Sequence, residues 1–215
     1  MSSRLIGWSL FVGFFATLNY WSHFSGERPP NDFAYRWESS ILGFIELAIV
    51  FGVVLLLTLG VDRRSILALR RPNSWWRAAG ISALVILAVL VVSAAVAPFG
   101  NPEDEQGLIP QRFDSHRIAP FVAFAVVVTV VAPIVEELMF RGAGYGLLER
   151  FGRGPAVIIV GIAFALVHGL VAGFPVIAAF GVGLAYLRAR AESIYPCILL
   201  HASFNAAGLA LGIAT

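Results

Sequence analysis

Residues 119–141 read APFVAFAVVVTVVAPIVEELMFR. The stretch carries no charged side chain before Glu136, and then Glu136, Glu137 and Arg141 follow within the same apolar run. A charged side chain at the centre of a bilayer costs about 2.5–3.5 kcal/mol even on the lenient insertion scale. The stretch therefore predicts a transmembrane helix whose charged residues face other helices or a water-filled cavity.

The composition of the whole chain is that of a membrane protein. The 215 residues are 59% hydrophobic and 13% charged, whereas roughly 25% of the residues of a soluble domain are charged. The mean hydropathy is +0.83. The basic residues are all arginines at the ends of apolar runs, a distribution typical of topology signals and not of a nucleic-acid interface. The single cysteine, Cys197, excludes an internal disulfide and a cysteine-based metal cluster.

The apolar runs predict an all-α fold, a polytopic membrane bundle of about seven transmembrane helices. The expected spans are 5–21, 41–61, 79–98, 119–141, 156–172, 174–189 and 194–213. A span needs about 20 apolar residues, so the first, fifth and sixth are short. The sixth contains Gly181 and Gly183 and could be tilted or partly re-entrant. Residues 1–118 form an N-terminal part of three spans, and residues 119–215 form a core of four.

The arginines also predict the orientation of the chain. With a cytoplasmic N-terminus and seven crossings, ten arginines fall on the inside and four on the outside, with Arg141 on neither side. The outer loop around Glu103, Asp104 and Glu105 is acidic. This split follows the positive-inside rule.

Three smaller features carry structural predictions. Glycines four residues apart should let helices approach closely; the pairs are Gly142/Gly146, Gly169/Gly173 and Gly208/Gly212. Residues 62–76, with their arginines and tryptophans, could form an interfacial helix. Glu46 is interpreted as a boundary residue that reaches the membrane interface.

Spacing divides the polar residues of the second half into two groups. Glu137 and Arg141 are four residues apart on one helix and can neutralise each other, whereas Glu136 is rotated by about 100° and faces elsewhere. His201 and Asn205 are also four apart and share one face of the last span.

The remaining histidine, His168, follows Phe164 by four residues, so that a ring lies beneath its imidazole. If the fourth helix continues to about Leu148, Glu136, His168, His201 and Asn205 lie at similar depth. If that helix stops near Arg141, the four converge less well. We expect the longer helix.

These residue types make up an inventory for hydrolysis. A carboxylate in a low-dielectric site has a raised proton affinity, which suits a general base, so Glu136 paired with His168 could deprotonate a water. His201 and the amide of Asn205 could donate to the oxygen that becomes negative. The set could cleave an amide without a covalent intermediate.

Three motifs in order resemble those of the CPBP family. They are E-E-x-x-x-R at 136–141, F-x-x-x-H at 164–168 and H-x-x-x-N at 201–205, within the longer strings EELMFRG and ILLHASFN. This family comprises the type II CAAX prenyl endopeptidases and related bacterial Abi-type proteins, and the resemblance covers about residues 120–213. The first 100 residues match only as extra helices.

The resemblance implies an intramembrane endopeptidase that uses a glutamate-activated water. Carried over by motif, Glu136 is the base, His168 its partner, and His201 and Asn205 the oxyanion stabilisers. Glu137 and Arg141 become supporting residues. No cofactor is implied.

The expected partners are the lipid bilayer and a peptide or protein substrate that in this family can carry a lipid, and no nucleic acid is expected. The expected location is a bacterial plasma membrane, with the site accessible from the cytosol.

Three alternatives remain open. The first is a catalytically silent scaffold or a bacteriocin-immunity-type protein of the same fold, although such a protein does not need all four polar residues. The second is a zinc-dependent protease, since Glu136, His168 and His201 could bind zinc with an open position. The third is a transporter, which the absence of inverted repeats disfavours.

Overall fold

The computed structural model describes residues 3–26, 29–99 and 113–214 of the chain. All regular secondary structure among these residues is helical, with no strand, which confirms the all-α prediction. The helices are α1 (Ser3–Ser25), α2 (Trp37–Leu57), α3 (Arg63–Ile66), α4 (Trp75–Val96), α5 (Ile118–Phe151), α6 (Arg153–Leu166), α7 (Phe174–Ala191) and α8 (Tyr195–Ala214).

Five of these helices are long and apolar enough to cross a membrane, namely α2, α4, α5, α7 and α8. Helix α6 is apolar but has only 14 residues. Helix α1 has 23 residues and contains Asn19 and other polar side chains near its end. A helix is present at each of the seven predicted positions, and the number of crossings, seven, stays a prediction.

The fifth predicted span, 156–172, is wrong at its C-terminal end. Helix α6 ends at Leu166, and the chain then turns through residues 167–173 before α7 begins. Gly169 has φ +65°, a left-handed conformation that ends a right-handed helix and favours glycine. His168 therefore lies in this turn and not within a helix. Helix α7 is an uninterrupted helix of 18 residues, so no re-entrant break occurs there.

Helix α5 confirms the longer of the two predicted lengths. It runs for 34 residues, about 50 Å at 1.5 Å per residue, against a hydrocarbon thickness of about 30 Å. Two π-helical segments interrupt its α-helical bonding, at Val127–Val131 and Leu138–Gly144. Such wide turns are frequent at functional sites. Glu136 and Glu137 lie between the two segments.

Glycine contacts bring the core helices together. A Cβ built on Gly161 would lie 2.6 Å from Val182 Cα, and one on Gly181 would lie 2.5 Å from Gly161 O, so α6 and α7 touch through their backbones. This pair was not predicted. Of the predicted positions, Gly142 and Gly146 pack closely against residues 66–67. Gly208 has open space around it, so the prediction for that residue is wrong.

Helix α1 packs against the core and holds the turn that follows α6. Asn19 Nδ2 donates a hydrogen bond to Val167 O at 2.5 Å, and Tyr20 Oη donates to Leu170 O at 3.0 Å. Trp8 Nε1 donates to Met139 O in α5 at 3.2 Å. The N-terminal part of the chain therefore fixes the backbone on both sides of His168.

The predicted interfacial helix over residues 62–76 forms only at Arg63–Ile66. Pro72 disfavours helical conformation at the residue before it and lacks an N–H. Ser74 then caps a new helix, because its Oγ accepts a hydrogen bond from Arg77 N at 3.3 Å. Trp75 and Trp76 consequently begin α4.

An exposed ionic cluster joins the start of α2 to the start of α5. Arg117 bonds both Asp32 and Asp114 at 2.8 and 2.7 Å, and Arg36 bonds Asp32 at 2.7 Å. The hydrogen bonds from Arg117 and Arg36 hold the pKa of Asp32 below its usual value. The cluster lies at the end of the bundle predicted to be external. The predicted acidic loop at 103–105, together with Arg28 and Arg112, lies outside the described residues.

Candidate active site

The predicted pair of Glu137 and Arg141 is formed in the interior of the bundle. Both side chains are fully buried, and Arg141 Nη1 donates to Glu137 Oε1 at 2.8 Å. Arg141 Nη2 donates to Gly181 O in α7 at 2.9 Å, and the guanidinium lies 4.3 Å from the ring centroid of Phe164 in α6. Arg141 thus connects α5 to both of the helices that cross beside it.

Glu137 has a second partner that sequence reasoning missed. His201 Nδ1 lies 2.9 Å from Glu137 Oε1, and the imidazole is 3% exposed. The ring meets Phe164 and Phe180 edge to face, at centroid distances of 5.6 and 5.5 Å. The spacing of the motif already supplied Glu137 with a partner, Arg141. Nothing in the sequence therefore indicated that His201 also contacts Glu137.

Glu136 faces a different environment from Glu137, as its rotation on the helix predicts. Its side chain is 26% exposed, and its Oε2 lies 3.8 Å from His201 Nε2, beyond hydrogen-bonding distance. Glu136 Oε2 has no hydrogen-bond partner among the residues that the structure describes. The Oε2 atom is itself buried, so the exposed part of the side chain lies elsewhere, and Oε2 has capacity to accept a hydrogen bond.

His168 lies in the turn after α6, and no hydrogen bond or ion pair joins it to Glu136 in the part of the chain that the structure describes. The Glu136 carboxylate is close enough to the imidazole to interact with it electrostatically. His168 Nδ1 lies 2.6 Å from Phe164 O, and the two rings are 4.5 Å apart, which confirms the predicted ring contact. A carbonyl oxygen only accepts hydrogen bonds, so Nδ1 carries the hydrogen. The lone pair on Nε2 of His168 is then the one that can accept a hydrogen bond or a proton.

Asn205 approaches α5 one helical turn beyond His201. Its Nδ2 donates to Val128 O at 2.9 Å. Val128 lies in the first π-helical segment, where Ala132 N bonds Val127 O with i to i+5 spacing. The bond also defines the amide orientation, because only the NH₂ group can donate to a carbonyl. One N–H of Asn205 is used in this bond, and the second remains.

Comparison with known families places these residues in one domain. Residues 118–207 match the family model described as type II CAAX prenyl endopeptidase Rce1-like. This segment is an Rce1-like CPBP-family domain. Comparisons with curated proteins and with solved structures found no match.

The Rce1-like domain begins with α5 and ends within α8, and it includes all six polar residues discussed above. The resemblance inferred from the three motifs is therefore confirmed. Membership of this family implies an intramembrane protease. Helices α1–α4 lie outside the matched residues.

One residue outside the Rce1-like domain also approaches the site. Glu46 in α2 is close enough to Glu136 for the two carboxyl groups to interact electrostatically. Helix α2 packs along α5 there, since a Cβ on Gly43 would lie 3.4 Å from Val127 Cγ1. Glu46 thus lies at the margin of the site, although its sequence position indicated only the membrane interface. The presence of a single acidic residue within an apolar helix could have indicated that Glu46 lies near the site.

The positions of the potential metal-binding side chains can be compared with what the alternative zinc site would need. Among the residues that the structure describes, no three or more His, Cys, Asp and Glu side chains are grouped so that they could hold a metal ion. Glu136, His168 and His201 are therefore not arranged as a zinc site here. Cys197 is fully buried, its Sγ lying 3.4 Å from Leu184 O.

Proposed function

We propose that this protein is an intramembrane endopeptidase in which Glu136 and His168 activate a water for attack on a peptide bond. The observation that carries the proposal is the carboxylate of Glu136, whose side chain is 26% exposed and whose buried Oε2 has no hydrogen-bond partner among the described residues, in an Rce1-like domain. The neighbouring acid, Glu137, is fully buried and its Oε1 is paired with Arg141, although its Oε2 also lacks a partner among the described residues. Glu136 differs in having no arginine partner and a side chain that is 26% exposed, which makes it the better candidate for the base.

The roles of the two water-activating residues follow from their surroundings. Glu136 accepts the proton of the water as the new C–O bond forms and gives it to the amine nitrogen as the C–N bond breaks, the role of a general base and acid. His168 has Nδ1 engaged with Phe164 O, so that Nε2 accepts a hydrogen bond from the same water. The turn held by Asn19 keeps that nitrogen in place.

His201 and Asn205 stabilise the negative charge that develops on the carbonyl oxygen. His201 Nε2 faces the Glu136 carboxylate at 3.8 Å, and Asn205 retains one N–H beyond its bond to Val128. A preorganised donor such as the Asn205 amide is worth most in a water-poor site, where it needs no reorganisation during the reaction, whereas His201 donates from Nε2 only when that nitrogen is protonated.

The proposal is tested by proteolysis with purified protein. Candidate peptides, with and without a prenyl group near the C-terminus, are incubated with the protein in lipid nanodiscs, and products are identified by mass spectrometry. Substrate-trapping proteomics in native membranes, comparing wild type with Glu136→Gln, identifies the substrate. Cleavage by wild type and not by Glu136→Gln supports an endopeptidase. A deletion phenotype that Glu136→Gln restores in full supports the silent scaffold.

Asn205→Ala is expected to lower kcat by about 10²–10³-fold, by analogy with the loss of one donor from other oxyanion holes. The substitution also removes the bond to Val128 O. The measurement is the steady-state rate of peptide cleavage, normalised to monodisperse protein. Ser203→Ala, at an exposed position of the same helix, is the matched control. Equal rates for Asn205→Ala and Ser203→Ala would remove Asn205 from the mechanism.

Dialysis against a strong chelator is expected to leave full activity, because a glutamate-activated water needs no metal. The measurement is the cleavage rate before and after EDTA treatment, with metal content checked by elemental analysis. Activity that disappears on chelation and returns with zinc alone would assign the protein to the zinc-dependent proteases.

We also propose that the N-terminus is cytoplasmic and the site opens to the cytosol, in a bacterial plasma membrane. Ten arginines against four support this orientation. Cysteines introduced at Ser74 and Arg150 are expected to react from the cytoplasmic side only, and one at Glu105 from the outside. The native Cys197 is buried and does not interfere. Labelling of position 105 only after permeabilisation would reverse the orientation.

A further inference from the structure

The Glu137 carboxylate does more than neutralise Arg141. A single oxygen, Oε1, lies 2.8 Å from Arg141 Nη1 and 2.9 Å from His201 Nδ1. All three residues are at most 3% exposed. Water therefore has almost no access to the group, and the hydrogen positions follow from the partners alone.

The position of the His201 hydrogen can be deduced from this arrangement. A guanidinium only donates hydrogen bonds, so Glu137 Oε1 is the acceptor of the bond from Arg141 Nη1. An ionised carboxylate only accepts, and Nδ1 of His201 must therefore carry a hydrogen. The opposite tautomer would direct a nitrogen lone pair at the carboxylate and would be repelled.

This tautomer determines what the other ring nitrogen can do. His201 Nε2 faces Glu136 Oε2 at 3.8 Å, and the rings of Phe164 and Phe180 restrict rotation of the imidazole. When Nε2 is also protonated, Glu137 stabilises the imidazolium that results. Only this charged form can donate from Nε2 to an oxyanion while Nδ1 remains bonded to Glu137.

We propose that Glu137 is a positioning residue that acts through His201. Its carboxylate holds the Nδ1 hydrogen, directs Nε2 toward Glu136 and the substrate, and stabilises the ring when it carries both hydrogens. The inference rests on the proposed hydrolysis, in which His201 donates to the oxyanion. In this proposal Glu137 orients His201 in addition to neutralising Arg141.

A test must separate this role from a structural one, because Glu137→Gln leaves Arg141 buried without a counter-charge and is expected to fold poorly. The double variant Glu137→Gln/Arg141→Met removes both charges and restores balance. We expect it to be monodisperse and to unfold close to the wild-type temperature. We expect its kcat to be about 10–100-fold lower with KM unchanged, by analogy with carboxylates that orient metal-bound histidines.

The second readout does not depend on activity. The tautomer of His201 is measured by nitrogen-15 NMR of histidine-labelled protein, with His201→Gln for assignment. Wild type should show a hydrogen on Nδ1, and the double variant a mixture of tautomers. A double variant with wild-type kcat and tautomer would overturn the proposal. If wild type cleaves no peptide, the proposed function fails, whereas the NMR result still decides whether Glu137 positions His201.

Discussion

Replacement of Glu136 by glutamine is expected to reduce peptide hydrolysis to near background, a loss of about 10²–10⁴-fold for removal of a general base. Glutamine has nearly the same size as glutamate, but its amide does not accept a proton at neutral pH. The fold should be little affected, because Glu136 Oε2 has no hydrogen-bond partner among the described residues and the side chain is 26% exposed. The measurement is cleavage of a peptide substrate, with size-exclusion profile and thermal unfolding recorded for the same sample.

A matched control is Glu38→Gln, which removes an exposed acid from the first turn of α2. Its cleavage rate should equal that of wild type. If Glu136→Gln cleaves as fast as Glu38→Gln, Glu136 is not the base. A misfolded Glu136→Gln would instead show that this carboxylate has a structural role that its lack of partners does not indicate.

Replacement of Arg141 by glutamine is expected to destabilise the fold by about 3–5 kcal/mol, the usual result of breaking a buried ion pair from one side. Glu137 would lose its cationic partner in a site with no access to water, and the bond to Gly181 O and the contact with Phe164 would be lost. The measurement is the free energy of unfolding in denaturant in mixed micelles, together with the yield of monodisperse protein.

Two further variants make this result specific. Arg190→Gln removes an exposed arginine from the end of α7 and should change the free energy of unfolding by less than about 0.5 kcal/mol. Arg141→Lys keeps the charge but cannot bond Glu137 and Gly181 with one planar group, so its stability should be intermediate. Equal stability of Arg141→Gln and Arg190→Gln would contradict the buried pair.

The membrane fold and much of the site could be predicted from the sequence because both depend on local spacing. Apolar runs of about 20 residues identified the helices, and a four-residue spacing placed Arg141 beside Glu137 and Phe164 beneath His168. Motif order identified the family domain. All of these are properties of residues close together in the chain.

Contacts between helices required the tertiary structure. The bond from His201 to Glu137 joins residues 64 positions apart, and that from Asn19 to Val167 joins residues 148 apart. Such pairs depend on how the helices cross, and close backbone contacts such as that of Gly161 in α6 with Gly181 in α7 are visible only in the folded structure. Helical periodicity indicates which face a side chain occupies and does not specify the facing residue.

The local backbone of the site also depends on tertiary packing. Pro133, which lacks an N–H, follows the π-helical segment that presents Val128 O to Asn205, so the sequence indicates an interruption of the α-helical bonding there but not its form. The end of α6 at Leu166 follows from a left-handed glycine next to α1, so that His168 lies in a turn and not in a helix. The sequence by itself thus determined that Glu136, His168, His201 and Asn205 lie in the core of a helical membrane domain. Only the packing of the helices decided which atoms of these residues face one another, because those contacts join residues far apart in the chain.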